Sequence, residues 1–291
     1  MVSEIEPFSL AAVPPLTPRR DEVNDIELHL LLDALLRFGD YDFRHYNQAV
    51  LRRRIADSMR AEGVETISGL QERLLHDEGA LARFLVLMCG SSPRLFYEPA
   101  FFRAFAATVV PLLRTYSFVR IWLPGVGTGA DAYALAAALD EAGIYERTVI
   151  YATSISEIGA AVAKAGVYEI PSTAAFLALA REAGIAESID RYFDVSARAV
   201  APNDRLRRNV MVGRHNVAQD GSINEFHAVV ARGVLPMFNG ATQYRIHRLI
   251  FESLARLGVL ALGSNETLAG TVHEHAYRRI DTGQPIFRRM R

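Results

Sequence analysis

A single cysteine in 291 residues, Cys89, rules out an internal disulfide. It lies in the apolar run FLVLMCG and reads as a buried thiol in a reducing compartment rather than a nucleophile. Excess charge is absent as well. With 32 Lys and Arg against 33 Asp and Glu, the formal net charge of −1 draws the chain onto neither nucleic acid nor an anionic membrane, so any such binding has to come from a local patch. Lysine is almost missing: Lys164 is the only one among 32 basic residues, a bias to which no function is assigned. No apolar run approaches the roughly 18 residues of a membrane span. The opening MVSEIEPFSLAAVPPLTPRRDE has neither the basic start nor the long apolar core of a signal peptide, so the cytoplasm is the expected location. The eight histidines show no metal-ligand spacing, HEH at 273–275 reads as a solvated strand or loop, and no metal is expected. There is no internal repeat.

What is present is enough apolar material, 50% of residues against 22% charged, for one large domain or two modest ones. Residues 1–22, with Pro7, Pro14, Pro15 and Pro18 and no periodicity, read as a leader outside the fold. From 23 to 115 the pattern is helical. NDIELHLLLDALLRFG, RHYNQAVLRRRIADSMRAEG and ISGLQERLLHDEGALARFLVLMCG close on Gly39, Gly63 and Gly90, and PAFFRAFAATVVPLLRTY follows. From 116 to 291, strands such as SFVRIWL, RTVIYATS and EFHAVVARGVL alternate with helices, which predicts a doubly wound, mostly parallel α/β sheet. Between 168 and 216 the rhythm breaks, as for a small inserted subdomain.

RIWLPGVGTGADAYALAAAL reads as strand, glycine turn and helix. Gly125, Gly127 and Gly129 allow a sharp bend and let a ligand approach main-chain N–H groups at a helix start; glycines that merely pack a tight turn are an equal alternative. A second strand ends at ATSIS, where nucleotide-binding folds commonly place a ribose-binding acid, and Ser154 stands there instead.

Together these stretches resemble the CheR family of chemotaxis receptor methyltransferases, which methylate glutamates with S-adenosylmethionine. The likeness runs over roughly 25–291. YNQAVLRRRIADSM resembles the family's Tyr-then-Arg-Arg-Ile helix. RIWLPGVGTGADAYALA resembles its Trp-Ser-x-Gly-Cys-Ser-Thr-Gly-Glu-Glu-x-Tyr-Ser pattern, with Trp122, Thr128, Gly129 and Tyr133 matching. IYATSISEIGAAVAKAGVY, HAVVARGVLPMFN and LGVLALGSNETL follow in family order. The resemblance implies a methyltransferase-type, Rossmann-like domain behind an N-terminal helical domain. It also implies an S-adenosylmethionine or S-adenosylhomocysteine site at Gly125, Gly127, Thr128, Gly129, Asp131, Ser154, Asn216, Val217, Gly233 and Tyr97.

Departures fall on the chemistry. The family's Thr-x-Phe-Phe-Arg motif appears as PRLFY, so Pro93 replaces its threonine and Tyr97 its arginine; Arg94 is the candidate substitute for that charge. Ala130 replaces an acid after the turn, Ser154 the ribose aspartate, Gly233 an asparagine and Met237 a tyrosine, while Asp131 keeps an acid and Asn216-Val217 match the family's Asn-Leu beside adenine. No catalytic residue is expected, and donor binding is expected to be weak or lost. On LRRRIADSMR, Leu51, Ile55 and Met59 form an inward stripe and Arg53 and Arg60 an opposite basic face: a solvated face, or a dock for an acidic helical partner such as the family's receptor segment. DRLRRN, with Arg205, Arg207 and Arg208, is a second such cluster. The expected function is a non-catalytic binding or regulatory protein of bacterial signalling. The alternatives are an active protein-glutamate O-methyltransferase with an atypical pocket, and a sensor of another nucleotide.

Overall fold

In the computed structural model, residues 20–89, 92–185 and 189–291 are described, so most of the expected leader and the expected helix stop at Gly90 lie outside them. Local caps explain the helical part. Helix α1 spans Arg20–Gly39 and α2 Gln48–Glu62; Asn47 accepts N–H bonds from Ala49 and Val50 at the start of α2, and Gly63 (φ +67°) closes it in the left-handed region. The long segment expected as one helix is two, α3 (Ile67–His76) and α4 (Glu78–Leu87). Asp77 breaks it: extended at φ −129°, it ends α3 and turns its carboxylate onto the N–H groups of Gly79 and Ala80. PAFFRAFAATVVPLLRTY likewise splits, into α5 (Pro99–Thr108) and α6 (Val110–Leu113), with Pro111 in the first turn of the second piece.

The rest alternates as β1 (Val119–Leu123), α7 (Ala130–Glu141), β2 (Thr148–Ser154), α8 (Glu157–Ala165), β3 (Tyr168–Glu169), α9 (Thr173–Glu182), β4 (Phe193–Val195), β5 (Ala199–Pro202), α10 (Asp204–Arg207), β6 (Val210–Arg214), β7 (Phe226–Ala231), α11 (Gly240–Ser253), β8 (Leu254–Leu262), β9 (Tyr277–Arg279) and β10 (Ile286–Arg289). Seven strands form one sheet in the order β6-β2-β1-β7-β8-β10-β9. Pairing is parallel from β6 to β8, and β10 runs antiparallel to both β8 and β9. This is the doubly wound methyltransferase-type sheet with a reversed strand near one edge. A separate antiparallel sheet, β3-β5-β4, projects from it. The expected insert, 168–216, reaches too far at its end, because β6 pairs with β2 in the large sheet over Ile150–Ser154.

Each sheet face has its own core. One gathers Phe101, Phe102 and Phe105 of α5 with α7, α9 and the small sheet. The other gathers α1 to α4 with Trp122, Phe226 and α11. Helices α5 and α6 therefore pack across the sheet from α1 to α4, although the sequence groups all six within 23–115. Trp122 is fully buried at the second core, stacked 5.3 Å from Phe226, and its indole N–H donates to Thr153 Oγ1 at 2.9 Å. Trp122→Ala is expected to cost ~3–5 kcal/mol, read as a lower urea midpoint, because it opens a cavity and strands the Thr153 hydroxyl.

Candidate functional site

Strand order steps from β1 to β2 on one side and to β7 on the other, so the loops leaving the carboxyl ends of β1 and β7 diverge and leave a crevice. The glycine turn enters it. Gly125 (φ +67°) and Gly129 (φ +78°) both occupy the left-handed region, and a β-carbon on Gly129 would stand 2.9 Å from the carbonyl oxygen of Ala163 in α8. Backbone geometry and packing on α8 thus already require these two glycines. Gly127 between them is buried.

Across the crevice, Arg232 follows β7 at 6% exposure and organises the polar groups. Its guanidinium donates to Asp131 Oδ1 at 3.0 Å, to Glu98 Oε2 at 2.9 Å and to the Tyr97 carbonyl oxygen at 3.0 Å, with its carbon 4.2 Å above the Phe101 ring. Burial pushes the Asp131 carboxyl up against the pull of Arg232. Burial opposes the Glu98 carboxylate too, yet hydrogen bonds from Ser264 and Arg232 hold it below its usual range. Phe96 (φ 55°) and Glu98 (φ 54°) flank Tyr97 in the left-handed region, a strained turn held by Phe96 packing at one end and by the Glu98 bonds at the other. Tyr97 itself is 47% exposed, so the loop sends its carbonyl inward and its phenol outward.

The loop after β8 is fixed by Glu266, a buried carboxylate that accepts N–H bonds from Gly233 at 2.9 Å, Leu235 at 2.8 Å and Gly263 at 2.7 Å. Burial raises its pKa and those amides oppose the rise. Gly233, where the resembled family has asparagine, sits at φ +74°.

A cavity of about 350 Å3 opens among these groups, lined by Tyr97, Glu98, Asp131, Arg232, Gly233 and Met237, with Arg53 and Arg54 of α2 at its other wall. Its chemistry is mixed: acids held by one buried guanidinium, facing two further guanidinium groups, so it suits a polar side chain carrying negative charge toward α2. Arg53 is therefore paired spatially with Arg54 and not with Arg60, which is exposed and bonded to Asp57 within its own helix. The inward stripe is Leu51, Ile55 and Ser58, with Met59 half-buried. Arg94, the candidate substitute for the resembled family's arginine, is exposed.

The other expected donor residues scatter. Asn216, Val217 and Gly125 surround a gap of only about 20 Å3, together with Tyr46, Met237 and Phe238. Ser154 is fully buried, and its hydroxyl lies 3.9 Å from Cys89 Sγ and under Gly159, where a β-carbon would collide with it. Thr128 lines a different, apolar cavity. Ala130 is buried against the first core. In the expected partner cluster, Arg205 grips the buried Asp140 with both arms, Arg207 donates to the carbonyls of Pro202, Lys164 and Ala165, and Arg208 lies 3.6 Å from Glu146. These three arginines are engaged within the fold.

Arg232, Glu98, Glu266 and Arg54 were not singled out from the sequence. For Arg232 a signal was there: a charged residue directly after an apolar strand, in HAVVAR, has to find buried partners, whereas Glu266 lies four residues beyond its strand and nothing local marks it. Among the described residues no group of three or more His, Cys, Asp and Glu could hold a metal ion, and no helix is long and apolar enough to cross a membrane.

Because one carboxylate satisfies three amides, Glu266→Gln turns one accepting oxygen into a donor facing an N–H. The expected loss is ~1–3 kcal/mol in denaturant unfolding, with faster amide exchange at Gly233 and Gly263.

The family model for the CheR methyltransferase SAM-binding domain matches residues 92–283, and that for the CheR methyltransferase all-alpha domain matches residues 26–89. Among curated relatives, Cher3 of Pseudomonas putida is 36% identical over 265 residues, covering 91% of this chain and 97% of that one. Chemotaxis protein methyltransferase 1 of Pseudomonas aeruginosa is 27% identical over 239 residues, 76% of this chain and 82% of its own. The chemotaxis protein methyltransferase of Listeria monocytogenes is 23% identical over 229 residues, 78% of this chain and 84% of its own. With both domain models matched in order and a relative aligned over nearly its whole length, the chain belongs to the CheR methyltransferase family.

Proposed function

We propose that this family member has lost useful methyl transfer and works as a binding or regulatory protein, offering the cavity between α2 and the sheet edge to an acidic helical segment of a signalling partner. The observation that carries the reading is the adenosyl gap. Gly125, Asn216, Val217 and Met237 leave about 20 Å3 between them, less than a nucleobase fills, so an adenosyl group would have to push them apart. Four polar groups that the family brings to its donor are also missing at Tyr97, Ser154, Ala130 and Gly233, and the serine that replaces the ribose acid is fully buried.

S-adenosylmethionine is reactive by itself, so a methyltransferase supplies chiefly position and electrostatics. Each lost charged hydrogen bond costs roughly 1.5–3 kcal/mol, and two or three of them turn micromolar donor binding into millimolar. Partner recognition needs none of those groups. Arg53 and Arg54 face the cavity mouth from α2, and neither is tied to a carboxylate among the described residues.

Calorimetry is expected to give millimolar or weaker dissociation constants for S-adenosylmethionine and S-adenosylhomocysteine. Labelled-methyl transfer to receptor fragments should stay at background, with Tyr97→Arg alone returning little, since groups that act as a unit do not add. Turnover by the unaltered protein comparable to an active relative would overturn the reading.

Partner binding is tested separately with a glutamate-rich helical peptide. Arg53→Glu should weaken its binding at least tenfold, whereas Arg60→Glu, whose guanidinium is bonded to Asp57 away from the cavity, should change it less than twofold. Equal effects would place the contact on the outer face of α2 instead.

A further inference from the structure

Strands β9 and β10 close the sheet at the edge opposite β6, and they carry like charges face to face. Their antiparallel register sets Arg288 of β10 directly opposite Arg278 of β9. Ile286 packs on the first core and Phe287 on the second, so alternation puts Arg288 on the first-core face, and Arg278 shares that face with Ile280. Like charges in directly opposed positions destabilise a pair of strands.

No carboxylate of the chain relieves this pair. Among the described residues neither guanidinium is in an ion pair: the exposed Arg278 side chain makes no hydrogen bond, and Arg288 leans toward β8, its Nε donating to the Leu257 carbonyl oxygen at 3.2 Å. Arg256, beside Leu257 in the chain, is a third exposed guanidinium without a carboxylate. The helices on this face, α5 and α6, contain no acid. Asp281, in the turn between the two strands, has both oxygens in use, Oδ2 accepting from the Thr108 hydroxyl and Oδ1 from the N–H groups of Gly283 and Gln284. The pair also stands apart from the polar cavity. Gly263 and Glu266 line that cavity beyond the carboxyl end of β8, whereas Arg288 lies one strand further out opposite Val259, back toward the other end, and Arg278 a strand further still.

We propose that this edge of the sheet docks an acidic segment of a partner protein, whose neighbouring carboxylates are received by Arg278 and Arg288. A carboxylate takes two parallel N–H bonds from one guanidinium or bridges two of them, so its arrival turns the repulsion across the strands into charge-assisted hydrogen bonds. A protein segment fits better than a nucleic-acid strand. Two or three guanidinium groups neutralise few phosphates, and the rings of these two strands, Tyr277 and Phe287, pack toward the second core and offer no stacking surface beside the pair. This contact is additional to the one at α2 and does not rest on it.

The probe is a flexible peptide of five Asp-Gly repeats, with five Asn-Gly repeats as its uncharged analogue, titrated at low salt into the full chain carrying Arg53→Glu, so that binding at the polar cavity is counted apart. The aspartate peptide is expected to bind at least tenfold more tightly than the asparagine one, and Arg278→Ser with Arg288→Ser should remove that advantage. A ten-nucleotide oligothymidylate should bind more weakly than the aspartate peptide. Equal binding of the two peptides, an affinity unchanged by the two serines, or tighter binding of the oligothymidylate would each overturn the proposal. Thermal unfolding tests its premise with no partner present. Arg278→Glu makes the opposed pair one of unlike sign and should raise the melting temperature at low salt by about 1–2 °C; an unchanged or lowered value would mean that the two guanidinium groups do not repel across the strands, and would overturn the proposal as well.

Discussion

Arg232 holds the carboxyl edge of the sheet together. It joins three pieces of chain that are remote in sequence: the end of β7, the first turn of α7 through Asp131, and the strained loop before α5 through Glu98 and the Tyr97 carbonyl. Burying one cation with two anions is expensive in desolvation, and it is tolerated where every arm of the fork is matched in geometry. Here the outer arms are matched, and the ring of Phe101 covers the flat face. The result is less a gain in stability than a fixed position: Asp131, Glu98 and the strained Tyr97 turn cannot be moved independently.

That network also explains what the amino-acid order makes legible and what it hides. The alternation of apolar strands with helices, the glycine stops and the turn after β1 are local patterns, and the sheet follows them. Asp77 shows the limit: a residue compatible with a continuous amphipathic helix becomes a double cap once its carboxylate turns onto Gly79 and Ala80. The site is harder to read because its members are defined by distant neighbours. Nothing around Arg54 in LRRRIADSMR separates it from Arg53 or Arg52, yet Arg52 pairs with Asp25, Arg53 faces the polar cavity and Arg54 stands between two cavities. Nor does DRLRRN announce that Asp140, sixty-five residues earlier, has taken Arg205.

Between the two cavities, α2 acts as a partition. On one side its arginines meet carboxylates and backbone amides around Arg232; on the other, aliphatic side chains of α4 and α8. Two cavities of opposite character can share one helix because a guanidinium is amphipathic, polar around its edge and weakly hydrated over its face. A ligand on either side would bear on the same helix, and so on how the helical unit sits against the sheet.

Gly233 has a quieter consequence. At φ +74° the backbone is in the region that glycine enters freely and asparagine more readily than most other residues. An asparagine there, as in the resembled family, can give way to glycine with the turn unmoved, because Glu266 holds the amide through the main chain alone. The scaffold of this corner is thus indifferent to whether glycine or asparagine stands there, so a functional group can be gained or lost at this position without the fold registering the change.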